Sequence, residues 1–103
     1  MTINIQYIHI PTSKSLNDFI DGDLTKLYNK FPFIIRADVT VKMENDQTGN
    51  GKVCEIELSV PGPRIFAKSS EENFEKAVVN TINDLDRQLR KRKEKFSKNK
   101  KAH

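Results

Sequence analysis

Cross-linking chemistry is missing from this chain of 103 residues. Its one cysteine, Cys54, cannot form an internal disulfide and has no cysteine or histidine at metal-ligand spacing, so a reduced, cytoplasmic setting with Cys54 in the core is expected. Long apolar runs are missing too. Nothing approaches the roughly 20 residues of a membrane span, and the start MTINIQYIHIPT alternates instead of placing a basic stretch before an apolar block. The expectation is a soluble, unexported chain with no membrane partner. Histidine is scarce: His9 falls at a strand end and His103 is the last residue, neither with Ser, Cys or Asp at nucleophile-base spacing. Gly49-Asn50-Gly51 lacks the Lys-Ser/Thr ending and the following helix of a phosphate loop and reads as a hairpin turn. Glu55 and Glu57 sit two apart on one strand face with no sign of desolvation. No catalytic constellation emerges, so the chain is expected not to be an enzyme and to use no cofactor, metal or small-molecule substrate.

What is abundant is positive charge, and it is unevenly placed. Residues 87 to 103, RQLRKRKEKFSKNKKAH, hold nine Lys or Arg and one acid, Glu94, whereas residues 1 to 86 hold nine Lys or Arg against thirteen acids. The formal net charge of +4 therefore hides a dipolar molecule. Like charges in a block repel one another, and such a block calls for an anionic partner unless it is only a solvated tail.

With 36% apolar content, this length suits one domain around a single core. Residues 2 to 8 read as a strand, with Ile3, Ile5 and Tyr7 on one face and Asn4 and Gln6 on the other. Ser13 is a candidate N-cap for a helix in which Leu16, Phe19, Ile20, Leu24, Leu27 and Phe31 recur at helical spacing, and Pro32 ends it. From Phe33 to Glu44 the period becomes two, with Ile35, Ala37, Val39, Val41 and Met43 facing one way. The turn formers NDQTGNG join this strand to a second, where Cys54, Ile56, Leu58 and Val60 alternate with Glu55, Glu57 and Ser59. Pro61-Gly62-Pro63 makes another tight connection, so Arg64 to Lys68 is expected to return as a short fourth strand. Ser69 and Glu72 have the spacing of a capping box and are expected to open the last helix. The order is β-α-β-β-β-α. Because each strand has one polar face, both helices are expected to share the other face of a four-stranded sheet, an α+β fold of two layers. Arg36, Lys42, Glu44, Glu55 and Glu57 on the open face are expected to pair across strands as solvated structure.

On the last helix, Phe74, Val78, Ile82, Leu85 and Leu89 fall in a stripe about 80° wide that suits packing on the sheet. Opposite run Lys76, Asn80, Asn83, Arg87, Lys91 and Lys98, with Arg90 and Lys95 flanking. At about 1.5 Å per residue, Arg87 to Lys98 spans about 16 Å, enough to meet several phosphates. Arg92 takes a core-facing angle after Leu89, so beyond that point the helix is expected to project past the sheet, with Phe96 as an isolated later contact. Residues 1 to 96 are expected to form the domain, and 97 to 103 a basic, frayed tail.

The phrases DLDRQLRKRKEK and FAKSSEENFEKA, and INIQYIHI before a capped helix, resemble the ribosome hibernation-promoting factor family, which includes protein Y and is also known as the sigma-54 modulation protein family. The similarity covers nearly the whole chain, and its most specific element is L-x-RQL-x-K-x-K-x-K at Leu85 to Lys95. It implies a fold like that of double-stranded-RNA-binding domains, and a protein that binds the small ribosomal subunit in the channel of messenger and transfer RNA and silences idle ribosomes in stress or slow growth. It further implies that Arg87, Lys91, Lys93 and Lys95 meet ribosomal-RNA phosphates, together with Lys26 of the first helix. Arg90 and Arg92 are basic here at positions that vary in the family, and Lys30 and Lys98 complete the candidate surface. Asp23 and Asp84 stand where relatives often carry lysine, and Tyr7 where some carry glycine. The length implies a short form, without the dimerising second domain of long members, expected to be a monomer off the ribosome. Two other readings use the same basic helix: a general module that recognises A-form duplex by shape, and a partner for an acidic protein.

Overall fold

A computed structural model describes the backbone of residues 1–101 and the side chains of residues 1–97. The elements run β1 (Thr2–Ile8), α1 (Lys14–Lys30), β2 (Arg36–Met43), β3 (Lys52–Ser59), β4 (Ile65–Glu71) and α2 (Phe74–Lys101). They build one sheet in the order β1-β2-β3-β4. β1 and β2 are parallel, and α1 supplies the crossover that a parallel pair needs; β2, β3 and β4 are joined by antiparallel hairpins.

The two-layer β-α-β-β-β-α fold follows from one shared apolar face. α1 buries Leu16, Ile20, Leu24 and Leu27, and α2 buries Ala77, Val78, Leu85 and Leu89, against Ala37, Val39, Val41, Cys54, Ile56, Leu58, Ile65 and Ala67 of the sheet. Each fully buried Leu or Ile side chain contributes roughly 1.5–3 kcal/mol, so this face dominates the stability. Among the described residues one polar side chain is fully buried, Thr81, whose hydroxyl lies 2.8 Å from the Ala77 carbonyl and 3.1 Å from the Cys54 carbonyl. Its single proton is shared between them, which ties α2 to β3 without leaving a buried donor unpaired.

Ser13 caps α1 as expected, its hydroxyl accepting from the Leu16 amide at 3.2 Å. Tyr7 adds a second tie: its hydroxyl lies 3.0 Å from the Ser13 carbonyl and 2.9 Å from Asn17 Oδ1, fastening β1 to the start of α1. Burial there pushes the Tyr7 phenol above its ordinary 10.0.

Several expectations need correction. β2 starts at Arg36, not Phe33: residues 32 and 33 form the turn out of α1, Ile34 is buried instead, and Ile35 and Met43 at the ends of the alternating stripe are exposed. The fourth strand continues to Glu71, past the expected end at Lys68. Ser69, Ser70 and Glu71 pair with Cys54, Val53 and Lys52, so Ser69 is part of the ladder and opens no helix. The long partner strand supplies main-chain hydrogen bonds that a local capping box cannot match. The cap is Asn73, whose Oδ1 accepts from the Lys76 amide at 2.7 Å. On α2, Ala77 and Thr81 are fully buried, whereas Phe74 and Ile82 are only partly so.

Candidate nucleic-acid interface

α2 has 28 residues and rises about 42 Å, whereas an eight-residue strand covers about 26 Å, so its basic end must run beyond the sheet. Three contacts hold that end in place. Gln88 Nε2 donates to the Phe66 carbonyl at 3.0 Å, Arg92 Nη1 donates to the Pro61 carbonyl at 2.8 Å, and Phe96 meets the Phe33 ring edge-on at 5.4 Å between centroids. Phe33 in turn meets Phe31, the cap of α1, edge-on at 6.1 Å between centroids. The expected late contact of Phe96 is therefore a three-ring brace between the two helices' ends.

Around this fixed axis, at 100° per residue, the cations fall on three sides. Towards α1 stands Arg90, whose Nε donates to Asp86 Oδ1 at 3.0 Å; the other oxygen of Asp86 holds Lys30 of α1. Lys26 lies one turn before Lys30 on the same helix and is exposed. On the outermost side are Arg87, paired with Asp84 three residues earlier, and exposed Lys91. Towards β4, Lys91, Arg92 and Lys95 line a shallow groove with Ile65 and Gln88. Lys93 is exposed near the α1 side, and the Lys98 side chain lies outside the described residues; of the segment 97 to 103 expected as a frayed tail, the backbone to Lys101 continues α2, and residues 102 and 103 lie outside the described residues. The structure thus brings Lys30 and Arg90 together on one carboxylate, and Lys91, Arg92 and Lys95 along one groove. Among the described residues, Lys26, Lys91, Lys93 and Lys95 take part in no ion pair.

Two acids sit inside the basic surface: Asp84, already marked in the sequence at a position often basic in relatives, and Asp86, which sequence reading did not single out. Their pairings with Arg87 and Arg90 have the (i, i+3) and (i, i+4) spacing that could have signalled them, but the link from Asp86 to Lys30 joins residues far apart in sequence.

The opposite face of the molecule is balanced. Glu55 takes Lys42 at 2.7 Å and Lys68 at 3.7 Å, Lys68 also reaches Glu44 at 3.5 Å, Arg64 pairs with Glu57 at 2.8 Å, and Arg36 with Asp38 at 2.9 Å. The hydrogen bond to Glu55 holds the Lys42 ammonium above its ordinary 10.5. These pairs balance four cations against four acids on the sheet face. Cys54 is buried, and the burial pushes its thiol up to about 12. Among the described residues, no group of three or more His, Cys, Asp or Glu is placed to hold a metal ion, and no helix is long and apolar enough to cross a membrane.

The sequence profile of the family described as Sigma 54 modulation protein / S30EA ribosomal protein matches residues 3–97. The chain is 30% identical over 95 residues to the ribosome hibernation promoting factor of Pseudomonas putida, a match that covers 92% of this chain and 89% of that protein. It is 28% identical over 100 residues to the ribosome hibernation promotion factor of Bacillus subtilis, covering 95% of this chain and 51% of the relative. Among solved structures, a ribosomal subunit interface protein from Coxiella burnetii superposes with a TM-score of 0.81 at 19% identity, covering 90% of this chain and 98% of that one. The N-terminal domain of Thermus thermophilus Protein Y gives 0.74 at 15% identity, with coverages of 88% and 98%. At these identities the structural likeness is one of fold; it is the profile match across nearly the whole sequence that decides the matter, and the chain belongs to the Sigma 54 modulation protein / S30EA ribosomal protein family.

Proposed function

We propose that this protein is a ribosome hibernation factor. It binds the small ribosomal subunit through ribosomal RNA, occupies the path of messenger and transfer RNA, and reversibly inhibits translation in stress or stationary phase. The observation that carries this reading is the junction at which Lys30 of α1 and Arg90 of α2 meet on Asp86, which makes the basic residues of two helices into one surface. The names of the Pseudomonas and Bacillus relatives as hibernation factors support it.

On this reading, Lys26 and Lys30 on α1 and the cations from Arg87 to Lys98 on α2 lie against RNA phosphates. Lys and Arg that neutralise phosphates release condensed counterions, which gives affinity without reading base sequence. Selectivity for the channel then comes from shape: a paired-helix surface whose end is braced by Arg92 and Phe96 presents its charges at fixed spacing. Inhibition is by occupation, with no covalent step and no cofactor, and the protein acts in the cytoplasm as a monomer off the ribosome. Residues 1–96 are the binding unit, and 97–103 extend its charge.

Sedimentation of a stationary-phase lysate through a gradient tests this directly. The protein is expected to travel with ribosomes and small subunits, and purified protein to prefer whole small subunits over any duplex. Equal affinity for unrelated RNA duplexes, without enrichment on ribosomes, would replace this reading with that of a general duplex binder.

A further inference from the structure

Asp86 lies between the helices with its side chain 19% exposed, and its two oxygens serve cations from different elements. Oδ2 holds Lys30 of α1, and Oδ1 accepts from Arg90 Nε of α2 at 3.0 Å. We infer that Asp86 is a positioning residue for RNA, which sets Lys30 and Arg90 side by side so that their remaining donors meet backbone phosphates. The inference rests on the RNA-binding reading above.

The donor inventory supports it. Arg90 spends Nε on the carboxylate, so both Nη nitrogens stay available to clasp phosphate oxygens in the bidentate manner. Lys30 gives Asp86 one of three ammonium donors, and its Nζ also lies 5.6 Å from the centroid of the Phe31 ring, a second restraint. Both are long side chains whose ordering would otherwise be deferred until RNA arrives, and fixing them beforehand lowers the cost of binding. Asp84 makes a useful contrast. It holds Arg87 through Nη2, within one helix, so it occupies a nitrogen that would otherwise face phosphate and links no second element.

The two acids therefore predict opposite signs. Judged by charge alone, replacing either by an amide removes a negative charge near RNA and tightens binding. An asparagine at 86, however, offers one acceptor oxygen where two cations need one each, so one of them comes loose.

The experiment titrates small ribosomal subunits at fixed salt with wild type, Asp86→Asn, Asp84→Asn, Arg90→Gln and the double variant Asp86→Asn/Arg90→Gln. The expectation is that Asp86→Asn binds about three- to tenfold more weakly despite its added positive charge, whereas Asp84→Asn binds at least as tightly as wild type. In the Arg90→Gln background, loss of Asp86 should weaken binding much less, since the side chain it positions is gone. Wild-type or tighter binding by Asp86→Asn overturns the inference, as does an equal loss in both backgrounds, which would mark Asp86 as merely structural. If Asp86→Asn loses its cooperative melt, Lys30→Met, Arg90→Gln and their combination take its place. Residues tied to one carboxylate lose less together than the product of the single losses, and independent losses overturn the inference. Wild type that fails to bind small subunits would fell the RNA-binding reading and this inference together; wild-type binding with an unweakened Asp86→Asn fells the inference alone.

Discussion

Arg92 donates from Nη1 to the main-chain carbonyl of Pro61 at 2.8 Å, so the basic end of α2 is tied to the turn between β3 and β4. The same guanidinium stands 3.0 Å from where a Cβ on Gly62 would lie, and Gly62 has φ +90, so glycine both makes that turn and leaves room for the arginine. Arg92 thus serves the fold with one nitrogen, and on the proposed RNA-binding reading its others meet phosphate. Arg92→Met should lower stability by about 1 kcal/mol and weaken small-subunit binding. Lys91→Met, one residue earlier and exposed, should weaken binding with the melt unchanged. Thermal melts beside binding titrations check both, and an unaltered melt for Arg92→Met would show that the tie contributes nothing.

The start of α2 supplies a second prediction. Asn73→Ala should cost about 1 kcal/mol of stability, because it removes the acceptor for the Lys76 amide, whereas Ser69→Ala should leave the helix cap intact. Denaturant unfolding of the two variants separates them. A larger loss from Ser69→Ala would restore the capping role to that residue.

That contrast marks where reading the sequence worked and where it did not. β1 and α1 were legible because alternation from Ile3 to Tyr7 and the Ser13 cap are local signals that agree with the packing. The α2 core stripe was legible through Val78, Leu85 and Leu89, and the fold class followed from the one-sided strands. Ser69 misled because its spacing to Glu72 satisfies a local rule, while the ladder partner that claims it, Cys54, is distant in sequence. Ile35 and Met43 misled because alternation says nothing about where the covering helices end. On the candidate surface, the basic positions were legible as a stripe, but the Lys30–Asp86–Arg90 junction requires the two helices to be side by side, which no helical spacing reveals.

Alkaline pH should destabilise the protein. Burial raises Cys54 from 9.0 to about 12, burial raises Tyr7 from 10.0, and the bond to Glu55 raises Lys42 from 10.5. In all three the folded state favours the protonated form. Their contribution is thus fully present below the ordinary values and is lost as pH rises through the raised ones. Melting temperature should stay level on this account up to about pH 9 and fall steadily above it. In Cys54→Ala the earliest part of that fall should be smaller, and a fall that is unchanged would remove Cys54 from the explanation.

Binding to ribosomal RNA should also fall steeply with salt. If roughly five phosphates are neutralised, the slope of log affinity against log salt is about −4 to −5. The variant Arg87→Glu with Lys91→Glu, both on exposed positions of α2, should flatten that slope while leaving the cooperative melt in place. A wild-type slope near zero would reject the electrostatic account of the interface.

Occupation of the transfer- and messenger-RNA path is the central claim, and competition in a purified cell-free translation system tests it most directly. Protein added in steps should inhibit initiation in proportion to ribosomes, reaching full inhibition at about one protein per small subunit, and excess initiator transfer RNA with messenger should relieve it. Protein that sediments with ribosomes yet leaves initiation and transfer-RNA binding untouched would contradict the claim.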